Sequence, residues 1–310
     1  MTAIPEVVGF GMITPVVILV VDELPPHNTG ALIRGASEYI FDDAAIVACL
    51  LRDWDVQTGL IGTTLGDDPR GRRIVRELKH KGVLGNVRLS RQIATPLEVD
   101  ISDLTGARTY FWQREPHVLK TLDSADLSLL AGARVLYVDW YDGDHILRAM
   151  DEAIRLDIPV FLNLEHGHAD PDILSRYAGR ATFCQAVTDA AQLGHESPLA
   201  VAQNLLAEGV QIALITLAGD GCLVASQDQV LQVRAPHVDV LDGCGAGATV
   251  SASFIYGYLQ GWELGDIARF AVASASLKCA RIGLQLSPLA DVWQLANELK
   301  IEHLTRDILE

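Results

Sequence analysis

The residues whose types and spacing best suit ligand binding lie in the last third of the chain, at 242–249. Three glycines fall within five residues there. The preceding run 230–241 reads as extended and ends in a Pro-containing strand at 235–240, and the run 249–259 has apolar residues at helical spacing. Glycines let a backbone approach a ligand closely, and the first N–H groups of a helix lack intrahelical partners. The stretch therefore predicts an anion site at a helix N-terminus. A glycine-rich turn without a ligand is the alternative.

A second group of candidate ligands lies at 165–170, after an apolar run. It contains Glu165, His166, His168 and Asp170, and transition metals favour imidazole and carboxylate ligands. Alternate residues of a short loop rarely converge on one ion without a distant third ligand, and the sequence identifies none. An ordinary polar loop at a strand end is therefore favoured, and no metal ligand is assigned.

Alternating strands and helices from residue 134 onward must position these residues. Strand patterns at 135–138, 159–162 and 211–216 alternate with helical patterns at 145–156 and 199–207. This order predicts an α/β fold of three layers, with a parallel-type sheet covered by helices on both faces. Ligands of such sheets bind at the carboxyl ends of the strands, where both motifs lie.

The N-terminal part has a different pattern. Residues 7–11 and 16–21 read as a first strand pair, and 105–112 reads as a strand that turns back on its predecessor. We expect a small β lid built from strands at about 12–35 and 95–115.

Composition bounds the class of protein. A chain of 310 residues suits one domain spanning 1–310. Forty acidic against 24 basic residues give a net charge of −16, which argues against nucleic acid or an anionic membrane as partner. Five scattered cysteines without a Cys-x-x-Cys pair favour a reducing, cytoplasmic setting. The apolar run 7–21 is too short to span a bilayer and lacks a basic flank, so strands are expected there.

The glycine-rich stretch resembles the Asp-Thr-x-Gly-Ala-Gly-Asp signature of the ribokinase-like (PfkB) carbohydrate kinases. The match covers four positions, namely Asp242, Gly245, Ala246 and Gly247. The resemblance implies that the amides of the last three form an anion hole for the transferred phosphoryl group. In that family the final Asp takes the proton from the sugar hydroxyl, and here Ala248 occupies its place. The motifs that carry the resemblance extend from Gly9 to Gly283.

The resemblance also implies a site for ATP and Mg²⁺. Residues 216–221 resemble the family's Thr-x-Gly-x-x-Gly turn, with Ala218 at its first glycine, and 273–283 resemble the helix and turn beside the adenine. The residues assigned in this way to the nucleotide are Thr216, Gly219, Gly221, Asp242, Cys279 and Gly283. Where the family carries Asn-x-x-Glu near the Mg²⁺–nucleotide, this chain has Ala186 and then Thr188 or Asp189.

The acceptor side departs further from the family. Its Gly-Gly-x-x-x-Asn motif corresponds to the run from Asp42 and Asp43 to Ile46, and Val16 stands at its substrate-binding Asp. Asn163-Leu-Glu165 resembles the Asp-x-Glu of ketohexokinase-like members. The strand with Arg108 resembles the lid strand that covers the sugar and often makes a dimer contact. The residues assigned to the substrate are Asp42, Asp43, Arg108 and Glu165. Helix capping by the two Asp residues and a solubility role for Arg108 are the alternatives.

The resemblance therefore predicts a carbohydrate kinase-like protein with degenerate active-site motifs and weak or absent activity. A non-catalytic nucleotide- or sugar-binding regulatory protein, a pseudokinase, is the alternative. The expected partner is a small sugar or nucleoside, without nucleic acid or membrane, and a homodimer through the lid is a further expectation.

Overall fold

The computed structural model describes residues 4–103, 108–188 and 196–304, and its strands are numbered here in chain order. They are β1 Val7–Gly11, β2 Thr14–Val21, β3 Ile33–Phe41, β4 Thr58–Gly62, β5 Leu65–Gly66, β6 Leu89–Ser90, β7 Leu97–Ser102, β8 Arg108–Gln113, β9 Val135–Asp139, β10 Val160–Glu165, β11 Phe183–Val187, β12 Ile212–Thr216, β13 Cys222–Ser226, β14 Val230–Val233 and β15 Ile301–Leu304. Nine of them form one sheet in the order β15-β14-β13-β12-β11-β10-β9-β1-β4. The six from β12 to β4 run parallel, and β13, β14 and β15 join antiparallel.

Helices cover both faces of this sheet. They are α1 Asp43–Arg52, α2 Pro69–Lys81, α3 Pro116–Leu119, α4 Leu147–Arg155, α5 Pro171–Tyr177, α6 Pro198–Ala207, α7 Ala246–Gln260, α8 Leu264–Cys279 and α9 Leu289–Ala296. Alternate side chains of β9 enter opposite cores, as the strand period of two requires. Val135 and Tyr137 pack in the core that includes α1, α7 and α8, whereas Leu136 and Val138 pack in the core that includes α4 and α6. The predicted α/β class is therefore the observed one.

A second sheet of four strands, ordered β3-β2-β7-β8, forms a lid. Along β7 the side chains alternate between buried and half-buried, and Glu98, Asp100 and Ser102 are the buried ones. Residues 104–107 lie outside the described chain, so the predicted strand 105–112 is seen only from Arg108 onward. The inward face of β7 is thus polar, whereas its neighbour β2 contributes the buried apolar side chains Val16, Ile18 and Val20 to the same face.

Two local predictions were wrong. The runs 7–11 and 16–21 do not pair, because Met12 N–H donates to Asp142 (2.9 Å) and Ile13 N–H donates to Thr63 (3.1 Å), and the chain leaves the main sheet for the lid. No strand forms at 235–240, where Pro236 has no N–H to donate.

The helix predicted at 145–156 is observed as α4, two residues shorter at its N-terminal end and one residue shorter at its C-terminal end. The segment Trp140–Ile146 is a 3₁₀ helix, and the α-helix begins only at Leu147. Among the described residues, no helix is both long and apolar enough to cross a membrane.

Candidate functional site

The N-terminus of α7 presents free backbone donors. Gly245 caps the helix with φ of +76°, a left-handed conformation that favours glycine. Its carbonyl accepts from the N–H (2.9 Å) and hydroxyl (2.8 Å) of Thr249. Of the residues that the structure describes, none accepts from the N–H of Gly247 or Ala248. These two amides are therefore available to an anion at the positive end of the helix.

Asp242 anchors the loop that leads into α7. Its carboxylate accepts from Cys244 N–H (2.9 Å), Gly283 N–H (3.0 Å) and the Lys278 ammonium (3.1 Å), which also donates to the Asp242 carbonyl (2.7 Å). Asp242 and Lys278 are each 1% exposed. The backbone of Cys279 takes part, since its carbonyl accepts from the N–H groups of Leu241 (2.8 Å) and Asp242 (3.2 Å). Both carboxylate oxygens of Asp242 are thus occupied by the protein itself, and they fix the shape of the loop.

Gln185, in the middle of β11, ties α7 to the sheet. Its side-chain amide donates to the Gly247 carbonyl (3.2 Å), and its oxygen accepts from the Ser251 hydroxyl (2.9 Å). Gln185 is 1% exposed. The sequence reasoning missed it, although a Gln inside an otherwise apolar strand is a usable signal, because a buried amide needs partners.

A cluster of carboxylates lies beside this attachment. Asn163 is the neighbour of Gln185 in the register of β10 and β11, and its amide donates to Asp43 (2.8 Å), Asp139 (2.8 Å) and Glu165 (3.5 Å). Burial, followed by the charges of Glu165 and Asp42, raises the pKa of Asp43 to about 8. Burial and the charge of Asp43 raise the pKa of Asp139 well above its usual range. We refer to Asp43, Asp139, Asn163 and Glu165 as the acidic cluster.

The adjacent Asp42 belongs to a different network. It accepts from the Thr14 hydroxyl (3.0 Å) and lies 3.5 Å from Arg114, which also pairs with Glu98 (2.7 Å). Burial raises the pKa of Asp42, and the charge of Arg114 opposes that shift. The two predicted substrate residues at the start of α1 thus point to different partners, and neither is a helix cap through its side chain.

The lid strands close the cleft over these groups. Cys244 donates to Asp100 (3.7 Å) and packs with Val16. Val16, which stands where the family has its substrate-binding Asp, therefore lies against residues 242–249, which we call the glycine loop. Arg108 and Tyr110 share the inward face of β8. In the register with β7, Tyr110 lies opposite Asp100 and Arg108 lies opposite Ser102. Arg108 is exposed. Partial loss of hydration beside the protein lowers its pKa, but the nearby acidic groups of Tyr110, Cys244, Glu165 and Asp100 outweigh this effect and raise it.

The predicted nucleotide turn lies at the end of β12. The Thr216 hydroxyl donates to the Ala186 carbonyl (3.4 Å). Gly221 has φ of +98°, and a Cβ there would lie 2.0 Å from the Val233 carbonyl, so the turn requires glycine. Gly219 meets no such limit, because nothing lies within 4 Å of its would-be Cβ. No hydrogen bond among the described residues joins this turn directly to the α7 N-terminus.

The histidine loop after β10 is built into the fold. His168 is 8% exposed, and its ring nitrogens face the Val187 carbonyl (2.7 Å) and Glu196 (3.4 Å). His166 instead stacks edge-on to Trp140, at 5.4 Å between ring centroids. Across the described ranges, no three His, Cys, Asp or Glu side chains are arranged to hold a metal ion. Asp189, one candidate for the family's Mg²⁺-associated Glu, lies outside the described residues.

The assembled site can hold negative charge at one end and positive charge at the other. The free amides of α7 and the acidic cluster are linked through Gln185 and Asn163, which are neighbours on the adjacent strands β11 and β10. The side chain of Ala248 is 2% exposed and has no group that accepts a proton. The arrangement therefore suits a phosphate facing the helix and a polar, donor-rich molecule facing the carboxylates.

Comparisons with known proteins agree with this fold. A 1-phosphofructokinase of Haloferax volcanii is 28% identical over 184 residues, covering 58% of this chain and 57% of that relative. The chain spans between 36% and 57% of the length of the first curated relatives. The ribokinase of Arabidopsis thaliana, solved with ribose and ATP, superposes with a TM-score of 0.74 at 18% identity. The match covers 95% of this chain and 99% of the ribokinase chain. A microbiome-derived acarbose kinase has a TM-score of 0.80 at 19% identity, covering 95% and 100%.

The sequence profile of the pfkB family of carbohydrate kinases matches residues 43–291, which is well over half of the chain. The matched region contains α1, the acidic cluster, the nucleotide turn and the glycine loop. The chain therefore belongs to the pfkB carbohydrate kinase family.

Proposed function

We propose that this protein binds ATP–Mg²⁺ and a polyhydroxylated small molecule, and that it transfers the γ-phosphoryl group slowly. The observation that carries the proposal is the pair of free amides at Gly247 and Ala248, held in place by the buried Asp242–Lys278 pair. The Arabidopsis relative with ribose and ATP supports the choice of ligands. The five free cysteines, four of them buried, support a reducing compartment such as the cytoplasm.

In this proposal the anion hole lies at Gly245, Ala246 and Gly247. The transferred group accepts from the free N–H groups of Gly247 and Ala248, since the Ala246 N–H already donates to the Gly243 carbonyl (3.2 Å). The nucleotide lies along the turn of Thr216, Gly219 and Gly221 and beside Cys279 and Gly283, whereas Asp242 acts through the loop that it anchors. Bound Mg²⁺ would neutralise charge on the phosphates. On the acceptor side, Arg108, Asp42, Asp43 and Glu165 face the second substrate.

The reaction forms a bond between the acceptor hydroxyl oxygen and the γ-phosphorus and breaks the bond from that phosphorus to the bridging oxygen of ADP. The hydroxyl proton passes to water, because Ala248 has no carboxylate to accept it. The loss of a general base typically costs about 10²–10⁴ in rate. Positioning and charge stabilisation supply most of the catalysis of phosphoryl transfer, and the α7 amides retain that part.

A non-catalytic regulatory protein is the second candidate. Asp42 and Asp43 stand where the family has a glycine pair, and they accept hydrogen bonds from Thr14 and Asn163 respectively. Their side chains therefore occupy part of the acceptor side, which favours a protein without catalysis. Such a protein would bind nucleotide or sugar without turning it over.

Two measurements separate these candidates. ATP consumption is followed with a panel of sugars and nucleosides, and binding of ATP–Mg²⁺ is measured by calorimetry. The kinase proposal expects turnover below about 1 s⁻¹ in the wild type and a gain of at least tenfold in Ala248→Asp, because the base is restored. Tight binding with no turnover in either protein would favour the regulatory function and contradict the kinase.

We also propose a homodimer through the outward face of the lid. By the strand register, Val17, Leu19, Val99, Ile101 and Phe111 share this face, and Phe111 is 57% exposed. A second copy with the same apolar face would cover it. Light scattering is expected to give a dimer for the wild type and a monomer for Phe111→Asp. A wild-type monomer at micromolar concentration would refute the dimer.

A further inference from the structure

The acidic cluster contains a buried polar atom without a partner. Asn163 is 1% exposed and donates its side-chain amide to Asp43, Asp139 and Glu165. Its side-chain oxygen has no hydrogen-bond partner in the part of the chain that the structure describes. An unsatisfied buried acceptor is costly, so a ligand hydroxyl that donates to this oxygen would be favoured.

Among the described residues, the carboxylates of the cluster also have no Lys or Arg as an ion-pair partner. Arg114 pairs with Glu98 and Asp42, and Lys278 pairs with Asp242. Arg108 on the lid influences the cluster through its charge but makes no ion pair among the described residues. Because burial keeps Asp43 and Asp139 protonated near neutral pH, a cation that binds the cluster displaces a proton and pairs with the carboxylate that forms.

Aromatic rings border the same place. The rings of Trp140 and Tyr141 lie 4.6 Å apart between centroids, and His166 packs against both. The Tyr141 hydroxyl donates to Glu165 (3.3 Å), which joins the rings to the acidic cluster. Tyr141 is 51% exposed, so a ligand can reach it. Carboxylates beside aromatic faces are a combination that binds organic ammonium groups.

We propose that the acceptor of this protein is a polyhydroxylated molecule with a protonated amine, such as an amino sugar or an aminocyclitol. The ammonium group pairs with Asp43 and Glu165, and an adjacent hydroxyl donates to the free oxygen of Asn163. This inference rests on the proposed function, since it names the class of acceptor for the same site. A divalent cation fits less well, because no described group of three metal-binding side chains is arranged for one.

The test uses calorimetry on the full chain without nucleotide, near neutral pH. D-glucosamine, D-glucose and N-acetylglucosamine differ only at one substituent, which is an ammonium, a hydroxyl and a capped amine respectively. Glucosamine is expected to bind at least about tenfold more tightly than the other two, because hydrogen bonds to charged groups are stronger. Asp43→Asn is expected to remove that preference. Asp144→Asn, a carboxylate paired with Arg176 outside the cluster, is the matched control and should retain it.

Equal binding of the three sugars overturns the inference, as does a preference that survives in a folded Asp43→Asn. Because that variant could lose structure, Glu165→Gln provides a second route, and thermal unfolding of both reports folding. A third outcome is a heat of binding for MgCl₂ alone that disappears in Asp43→Asn, together with equal binding of the three sugars. That outcome would assign a metal site and overturn the inference of an amine-bearing acceptor. Amine preference without ATP consumption contradicts only the proposed kinase, whereas ATP consumption with neutral sugars alone contradicts only this inference.

Discussion

Removal of one partner from the Asp242–Lys278 pair should destabilise the protein strongly. The side chains are 0% and 1% exposed, and the ammonium lies 3.1 Å from the carboxylate and 2.7 Å from the carbonyl of Asp242. Truncation of one member of a buried ion pair leaves an uncompensated charge and costs about 3–5 kcal/mol. We therefore expect Lys278→Met and Asp242→Asn each to lower the free energy of unfolding by about that amount.

The double variant distinguishes a true pair from two independent contributions. A double substitution that leaves no buried charge should cost less than the sum of the single ones, by about 2 kcal/mol or more. Urea unfolding followed by tryptophan fluorescence measures this, because Trp54, Trp262 and Trp293 all pack on Phe270 of α8, the helix that carries Lys278. Single variants that cost less than about 1 kcal/mol, or effects that simply add, would refute the reasoning.

Two further predictions concern local geometry and pH. Gly221→Ala should lower the melting temperature by several degrees, because φ is positive and the Val233 carbonyl oxygen would lie 2.0 Å from the new Cβ. Gly219→Ala should change the melting temperature little. Equal effects of the two substitutions in calorimetric scans would contradict this prediction. The pKa of Asp43 is raised to about 8 by burial, so the unfolded state loses its proton first and stability falls as pH rises from about 4 to 8. In Asp43→Asn that fall should be smaller, by a few degrees of melting temperature at pH 8; parallel pH profiles for the two proteins would count against the shift.

The sequence was informative wherever function depends on local backbone. The glycine loop at 242–249 begins a helix as predicted, because Gly245 adopts a conformation that glycine favours and the apolar spacing after it requires a helix. The turn at Gly221, which we propose for the nucleotide, is a local feature of the same kind. The family resemblance could therefore be read from short motifs.

The remaining features depend on contacts between distant parts of the chain. Asp242 binds Lys278, 36 residues away, and this pairing leaves no sign in local sequence. Gln185 and Asn163 become neighbours only through the register of β10 and β11. Each strand end could be predicted separately, but their side-by-side order, and with it the acidic cluster, requires the fold.

Binding of ATP–Mg²⁺ to two variants at one position tests the anion site most directly. A Cβ at Gly247 would lie 3.5 Å from its nearest neighbour, the side-chain nitrogen of Gln185, so Gly247→Ala fits and keeps the amide donor. Gly247→Pro removes that donor in the first turn, where proline is tolerated. Calorimetry should give wild-type affinity for the Ala variant and at least about tenfold weaker binding for the Pro variant. Equal affinities in the two variants, or no binding in the wild type, would contradict the proposed role of the α7 amides.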